Sequence, residues 1–445
     1  MKTIGGGAIL VLSSSWLALA LGLGLGLGCG SSGTSSAAPA TSGPDAGAEA
    51  AAPSAGDPPA CVGPPGAGGG GPKARGDVGG ALDPSGQKLV VFGGDTAVAA
   101  CNDIPAHTHA NDTWILDVGC GSWKQVTPPD GPGARARHAM VTDADRNRAI
   151  VFGGRTRSGT SGPYTALNDA WAFDFAAETW TKLQASGVAP QGRSNATAVV
   201  DPKGKQLVVF GGSTDTSGTA FTPTADTFVL DLEGGAWRAI AASPAPPARL
   251  FHAMAVDTDS RVAYVFSGGD ENAFTGPFFK DVWALDLKGE SWSKVATTGS
   301  APAGRINASL VFDQSAKRLV VFGGHDDGAV GNQNEVYSLD VSATPAAWSR
   351  LGGGDKLNKP PSATCMFAPD FTTIDTAAPE RRSAFALGAR VDGRGFVVFG
   401  GKSDCGLLSD AWWWSGSTEA WTPMKMSPVG LSCLRTSTTC TGLCG

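Results

Sequence analysis

In 445 residues, Gly (63) and Pro (29) account for 92, well above the roughly 12% of an ordinary protein, which argues against long helices and coiled coils. The net charge of −6 and a charged share of only 17% leave no basic face for neutralising phosphates, so no nucleic-acid partner is expected. A hydrophobic share of 42%, with 13 Trp and 19 Phe, is too apolar for a wholly disordered chain and points to a turn-rich, β-rich fold with a core.

Residues 1–28 have the layout of a secretory signal peptide. One positive charge, Lys2, precedes an apolar stretch from Ala8 to Gly28 that is interrupted by Ser13, Ser14 and Ser15. The segment Leu25-Gly26-Leu27-Gly28-Cys29 resembles a bacterial lipobox, where a small residue precedes a cysteine that becomes diacylated, with Gly26 standing where Leu is usual. The resemblance implies lipidation at Cys29. It also implies an exported cell-envelope protein, outer-membrane or surface-bound, that meets the membrane only through this anchor. An ordinary cleaved signal and an uncleaved membrane helix are the alternatives. Residues 29–72 are almost entirely Gly, Ala, Pro, Ser, Thr and Asp without an aromatic residue, and cannot bury enough apolar surface to order themselves. They are expected to form a flexible tether spanning roughly 35–40 Å root-mean-square.

From residue 73 the chain repeats. A β-branched or apolar run ending in a glycine pair occurs six times, at Gly93-Gly94, Gly153-Gly154, Gly211-Gly212, Gly268-Gly269 (after Ser267), Gly323-Gly324 and Gly400-Gly401. Eighteen or nineteen residues before each pair stands an arginine: Arg75, Arg135, Arg193, Arg249, Arg305 and Arg382. After each pair come two aromatic slots, Trp114/Trp123, Trp171/Trp180, Phe228/Trp237, Trp283/Trp292, Tyr337/Trp348 and Trp412/Trp421. An acid precedes the first aromatic by two in every copy: Asp112, Asp169, Asp226, Asp281, Glu335 and Asp410. This pattern resembles the kelch repeat, and so the kelch/galactose-oxidase type of β-propeller. The resemblance implies an all-β, six-bladed propeller over residues 73–426, with four antiparallel strands per blade, followed by a Cys-rich tail at 427–445. Composition agrees: each unit offers four short runs of strand character separated by turns such as Asp201-Pro202-Lys203-Gly204, and such units bury their faces only by radial stacking. Each unit is complete from its own arginine to its second aromatic, so no exchange of a terminal strand between first and last blades is expected.

In such a fold the long segments 95–111, 155–168, 213–225, 270–280 and an insertion at about 352–380 all fall on one face, together with the blade connections. Long loops on a rigid scaffold are where binding concentrates, so this is the expected functional face. The six repeat arginines should open the innermost strands at the channel mouth; in kelch proteins similar to this one, arginines there can hold acidic peptides or anionic ligands. The alternative is that they hydrogen-bond loop carbonyls. His107 and His109 are further ligand candidates, with Asp103 or Asp112 nearby, as is His325 beside Asp326 and Asp327. None of these sets makes a metal site by itself, and neither a metal nor a cofactor is expected. His138 and His252, three after a repeat arginine, read as structural. Phe274, Phe278 and Phe279 offer either a contact patch or loop packing.

Catalytic templates fail. No HExxH or GxSxG is present, and Gly400-Gly401-Lys402-Ser403 lacks the first glycine of a phosphate loop. The radical copper oxidases that share the fold need two tyrosine ligands, and of three tyrosines only Tyr164 falls on a loop. With Cys29 lipidated, eight cysteines remain, consistent with disulfides in an oxidising compartment. Cys365 and Cys405 share a face and form the expected pair; a tail cysteine reaching Cys61 would clasp the termini. The chain therefore reads as a monomeric, surface-anchored binding or scaffold module for a protein or glycan. The alternative is a carbohydrate-active enzyme such as a sugar oxidase, lyase or mutarotase, supported by fold analogy alone. Arg, His and carboxylate groups clustered at the channel mouth would favour the enzyme, and scattered ones the binding module.

Overall fold

The computed structural model describes residues 56–61, 70–97, 107–159, 162–273, 275–326, 331–359, 371–404 and 406–424, all within one compact unit. Cys29, Cys365, Cys405, the signal segment and the tail lie outside the described residues. Six antiparallel sheets are built from consecutive strands, each blade using only its own repeat. Their innermost strands are Gly79–Leu82, Ala139–Asp143, Thr197–Asp201, Ala253–Asp257, Ser309–Asp313 and Ala386–Ala389. The second strand of every blade is the apolar run before the glycine pair, fully buried because sheets pack on both of its faces.

Two details depart from four antiparallel strands per blade. The short segments Ser186–Gly187 and Thr297–Gly299 lie parallel to the outermost strands of the third and fifth blades, giving each a fifth strand. The chain leaving one blade runs along the outer edge of the next, and so covers backbone groups an edge would expose. In the sixth blade the middle strands Gly395–Ser403 and Gly406–Ser415 continue past the glycine pair, where other blades open into long loops.

Blade-to-blade packing repeats six times. The second-slot tryptophan of each blade meets the phenylalanine before the preceding blade's glycine pair: Phe92–Trp180, Phe152–Trp237, Phe210–Trp292, Phe266–Trp348, Phe322–Trp421 and, closing the circle, Phe399–Trp123, with ring centroids 4.5–5.4 Å apart. The indole N–H of Trp180 and of Trp292 donates to Thr113 and Thr227 of the preceding blade at 3.0 and 3.2 Å. Aromatic side chains bury on the order of 200 Å² each, so each tryptophan seated at a seam brings at most about 5 kcal/mol of apolar burial, shared among all its neighbours.

The glycine pairs are required by a close approach. Both positions have positive φ, near 65° and 95°, and the second N–H donates to the carbonyl of the next blade's arginine at 2.8–3.0 Å, including Gly401 to Arg75 across the seam. A Cβ at Gly93, Gly153, Gly211, Gly323 or Gly400 would stand 2.6–2.9 Å from that oxygen. In the fourth blade Ser267, with φ 62°, takes the first position and Gly268 the second. The arginine-to-pair spacing is thus eighteen in all six copies, and the nineteen read from sequence is corrected. Ser267 is tolerated because its hydroxyl accepts the Arg305 N–H (2.7 Å) and lies between the carbonyls of Phe279 (2.7 Å) and Arg305 (2.8 Å), to either of which it can give its one proton.

The tether boundary also moves. Gly56–Cys61, assigned to the tether by composition, packs on the propeller: the Trp413 indole donates to the Gly56 carbonyl at 2.9 Å, and Cys61 is disulfide-bonded to Cys120 in the outer hairpin of the first blade. This corrects the expected partner of Cys61, a tail cysteine. Attachment rests on a backbone acceptor and a covalent bond, neither of which composition reports. The strap touches the last blade at one end and the first at the other.

Candidate functional site at the channel mouth

The six repeat arginines do not face a ligand. They are between 0 and 2% exposed. Each donates through Nη1 to the carbonyl of the first residue of its own glycine pair at 2.9–3.1 Å, and through Nε to the carbonyl two residues before itself. Five are bidentate to the acid of their repeat, Arg75–Asp112, Arg135–Asp169, Arg193–Asp226, Arg249–Asp281 and Arg382–Asp410. Arg305 reaches Glu335 at 3.6 Å. Four of those acids also accept the first-slot indole N–H, from Trp114, Trp171, Trp283 and Trp412. This corrects the ligand-binding expectation: the arginines are not free charges at the mouth but buried groups bonded within their own blades. Burial alone would raise Asp112, Asp169, Asp226 and Asp281, but their arginines outweigh it and hold the carboxyls below the usual range.

The mouth is formed by residues two positions further on. Asp77, Arg137, Asn195, Phe251, Asn307 and Ala384 all have φ between 51° and 59°. Each N–H donates to the carbonyl of the one before, from Asp77 to Ala384 round to Ala384 to Asn307, at 2.8–3.3 Å. Six backbone hydrogen bonds close a ring about the axis.

On this ring stands a cluster drawn from three blades. Asp77 accepts from Lys402 Nζ at 2.6 Å and Arg137 Nε at 3.2 Å. Burial would raise its pKa, but Lys402 and Arg137 hold it far below the carboxylate range. Asp95 is hydrogen-bonded to His107 and accepts the N–H groups of Ala97 and Thr108 at 3.0 and 3.1 Å. Tyr164, buried, is stacked on His109 (5.8 Å) and covered by the guanidinium groups of Arg155 (3.8 Å) and Arg157 (4.7 Å). Burial pushes His109 down to about 4 and Arg155 down to about 10.

The histidine pair lies beside Asp95, an acid the sequence reading did not offer, while Asp112, one that it did, is committed to Arg75. Sequence reasoning missed Asp77, Arg137, Arg155 and Lys402, and only Tyr164 gave a signal. His325 lies across the face in a short pairing with Ile306, and the carboxylate of Asp326 accepts from Gly331 and Gln333. Asp103 and Asp327 fall outside the described residues. Among the described residues no group of three or more His, Cys, Asp or Glu side chains could hold a metal ion. His138 and His252 pack edge-on against Phe92 and Phe210, and Phe278 packs with Leu250, Phe251, Ala273 and Ile306, so it serves loop packing; Phe274 is outside the described residues.

The model of the KLHDC2/KLHL20/DRC7 kelch-repeats domain matches residues 64–260 and 261–443. Putative adagio-like protein 2 of Oryza sativa subsp. japonica is 31% identical over 300 residues, 62% of this chain and 44% of that protein. Adagio protein 3 of Arabidopsis thaliana is 28% identical over 316 residues, 65% of this chain and 46% of that protein. The flagellar outer-arm dynein alpha chain of Chlamydomonas reinhardtii is 26% identical over 331 residues, 60% of this chain but 7% of its own length. The matched region spans less than half of each of these relatives.

Proposed function

Because the chain belongs to the family of KLHDC2/KLHL20/DRC7 kelch-repeat domains, we propose that its propeller is a binding and scaffold module that engages a protein partner through the long-loop face. The observation that carries this reading is the kelch-repeats match over residues 64–260 and 261–443, and the contact is placed at the half-buried Arg157, which lies over Tyr164 among the long loops. Arginine and tyrosine are the residue types that dominate interface energetics. A glycan partner is a narrower form of the same reading.

The enzyme reading is favoured by one thing, the convergence of Asp77 and Asp95 with arginines and histidines at the mouth. The state of those groups argues the other way. Asp77 is locked as a carboxylate by two cations and His109 is pushed down to about 4, so neither is poised for proton transfer near neutral pH. Export and anchoring through Cys29 complete the proposal. The apolar leader and the Cys61–Cys120 disulfide support it, since such bonds persist in oxidising compartments. Among the described residues no helix is long and apolar enough to cross a membrane.

The test is an array of peptides and glycans probed with the full chain and with an Arg157→Ala/Tyr164→Ala variant. Capture of a peptide or glycan that weakens at least tenfold in the variant, with the thermal melt retained, is the expected result. No capture, together with turnover of a sugar, would overturn it. Fatty-acid labelling that disappears in Cys29→Ser tests the anchor.

A further inference from the structure

Beneath the mouth the axis of the propeller is hollow, and protein binding at the loop face makes no use of it. An upper lobe of about 230 Å³ is lined by Asp77, Arg137, His138, Asn195 and Phe251 among others, and a lower lobe of about 190 Å³ continues along the axis. The two share a waist of Gly80, Met140, Val141, Ala198, Met254 and Leu387, which is wholly apolar.

Two polar side chains at the top of this shaft, Arg137 and His138, carry buried nitrogens without partners. The Arg137 side chain is 7% exposed; its Nε donates to Asp77, while its Nη1 is buried without a hydrogen-bond partner. Both ring nitrogens of His138 are likewise buried and unpartnered. Burial pushes His138 down to about 3, so at neutral pH the ring is uncharged and carries one N–H. Buried donors left unmade are costly, and a native site that tolerates them invites an acceptor. Charge agrees. The groups at the mouth are the cations Arg137, Arg155, Arg157 and Lys402 against the anions Asp77 and Asp95, which leaves positive charge in surplus.

We propose that the axial channel binds a small aliphatic monocarboxylate, with its head on Arg137 Nη1 and its chain in the apolar waist. An ammonium would meet the surplus cation. An alcohol would bring a weaker, uncharged acceptor. Since a dry apolar cavity of about 150 Å³ holds benzene, the upper lobe suits a ligand of roughly eight heavy atoms, such as hexanoate.

Isothermal titration of the full chain with acetate, butanoate, hexanoate and hexan-1-ol tests this. Affinity should rise about fourfold for each methylene from acetate to hexanoate, the increment expected for one buried CH₂. Hexan-1-ol should bind about tenfold more weakly than hexanoate, as for a lost charge-assisted hydrogen bond. Arg137→Gln should weaken hexanoate by a similar factor and hexan-1-ol by less. Met140→Trp, which fills the waist without touching the head group, should abolish the dependence on chain length, with thermal melts confirming that both variants fold. Equal affinity for acetate and hexanoate would reduce the site to an adventitious anion contact and overturn the proposal. So would the absence of hexanoate binding at millimolar concentration, or binding indifferent to Met140→Trp.

Discussion

His138 stands three residues after Arg135 and meets Phe92 edge-on with ring centroids 5.5 Å apart; Phe385 stands three after Arg382 and meets Phe322 at the same 5.5 Å. One position of the repeat therefore accepts either ring, and the difference lies in protonation. Burial holds both His138 and His252 down to about 3, so neither takes up a proton in the folded state at pH 5 to 6. In the unfolded chain each does so near pH 6.5. Their folded pKa values are depressed, so the unfolded state binds more protons between these limits. Stability is full above about pH 6.5 and falls as pH drops, by about 1.4 kcal/mol per pH unit for each histidine. His138→Phe should remove one such increment from the slope of unfolding free energy between about pH 6 and pH 5, while the propeller stays folded. Urea titrations at several pH values measure this, and an unchanged slope would show that His138 is solvated in the native protein.

At the scale of the blade, the arginine–acid pair ties the start of the innermost strand to the glycine pair and to the strand that follows it. The six copies are not equal. Arg249 is fully buried and bidentate to Asp281, whereas Arg305 meets Glu335 only at 3.6 Å. Removing one partner of a buried pair strands the other charge, so Asp281→Asn should cost about 2–3 kcal/mol, with the carboxylate's partial exposure discounting the full penalty. Glu335→Gln should cost less than half of that. Denaturant unfolding of the two variants gives the comparison, and equal losses would refute the assignment. The pairing was half legible in sequence. Arginine, glycine pair and acid recur in register and so announced a shared structural job, but spacing cannot say whether a guanidinium points at solvent or back into its own blade. The slip at Ser267 has the same origin. A run of Ser-Gly-Gly offers two registers, and the choice is made by a serine hydroxyl satisfying the neighbouring blade's backbone, which no composition rule weighs.

At the scale of the whole molecule, the fold was legible because six copies of one signal agree, whereas the mouth cluster was not. Asp77 and Lys402 are 325 residues apart and meet only because the last blade closes on the first. Asp77 and Arg137 are joined across neighbouring blades, so no local window contains both. Closure is also where the strap acts, touching the last blade at Gly56 and bonded to the first at Cys61. The disulfide encloses a sequence separation of 59, for which loop entropy gives a contribution of about 4 kcal/mol as an upper figure. Cys61→Ser should therefore lower unfolding stability by about 2–4 kcal/mol and speed amide exchange first in Gly79–Leu82 and Ala386–Ala389, the inner strands flanking the seam. Uniform exchange around the circle would mean that the strap is incidental to closure. The six-membered backbone ring at the mouth carries a different consequence. Because each of its amide protons is already given to a neighbouring carbonyl, the rim offers an incoming molecule no main-chain donor of its own, and recognition at the axis falls to six side chains. These already range from Asp77 and Arg137 to Phe251 and Ala384, all in the same left-handed conformation. The rim is a fixed dial with interchangeable letters, on which a new specificity can be written without rebuilding a single blade.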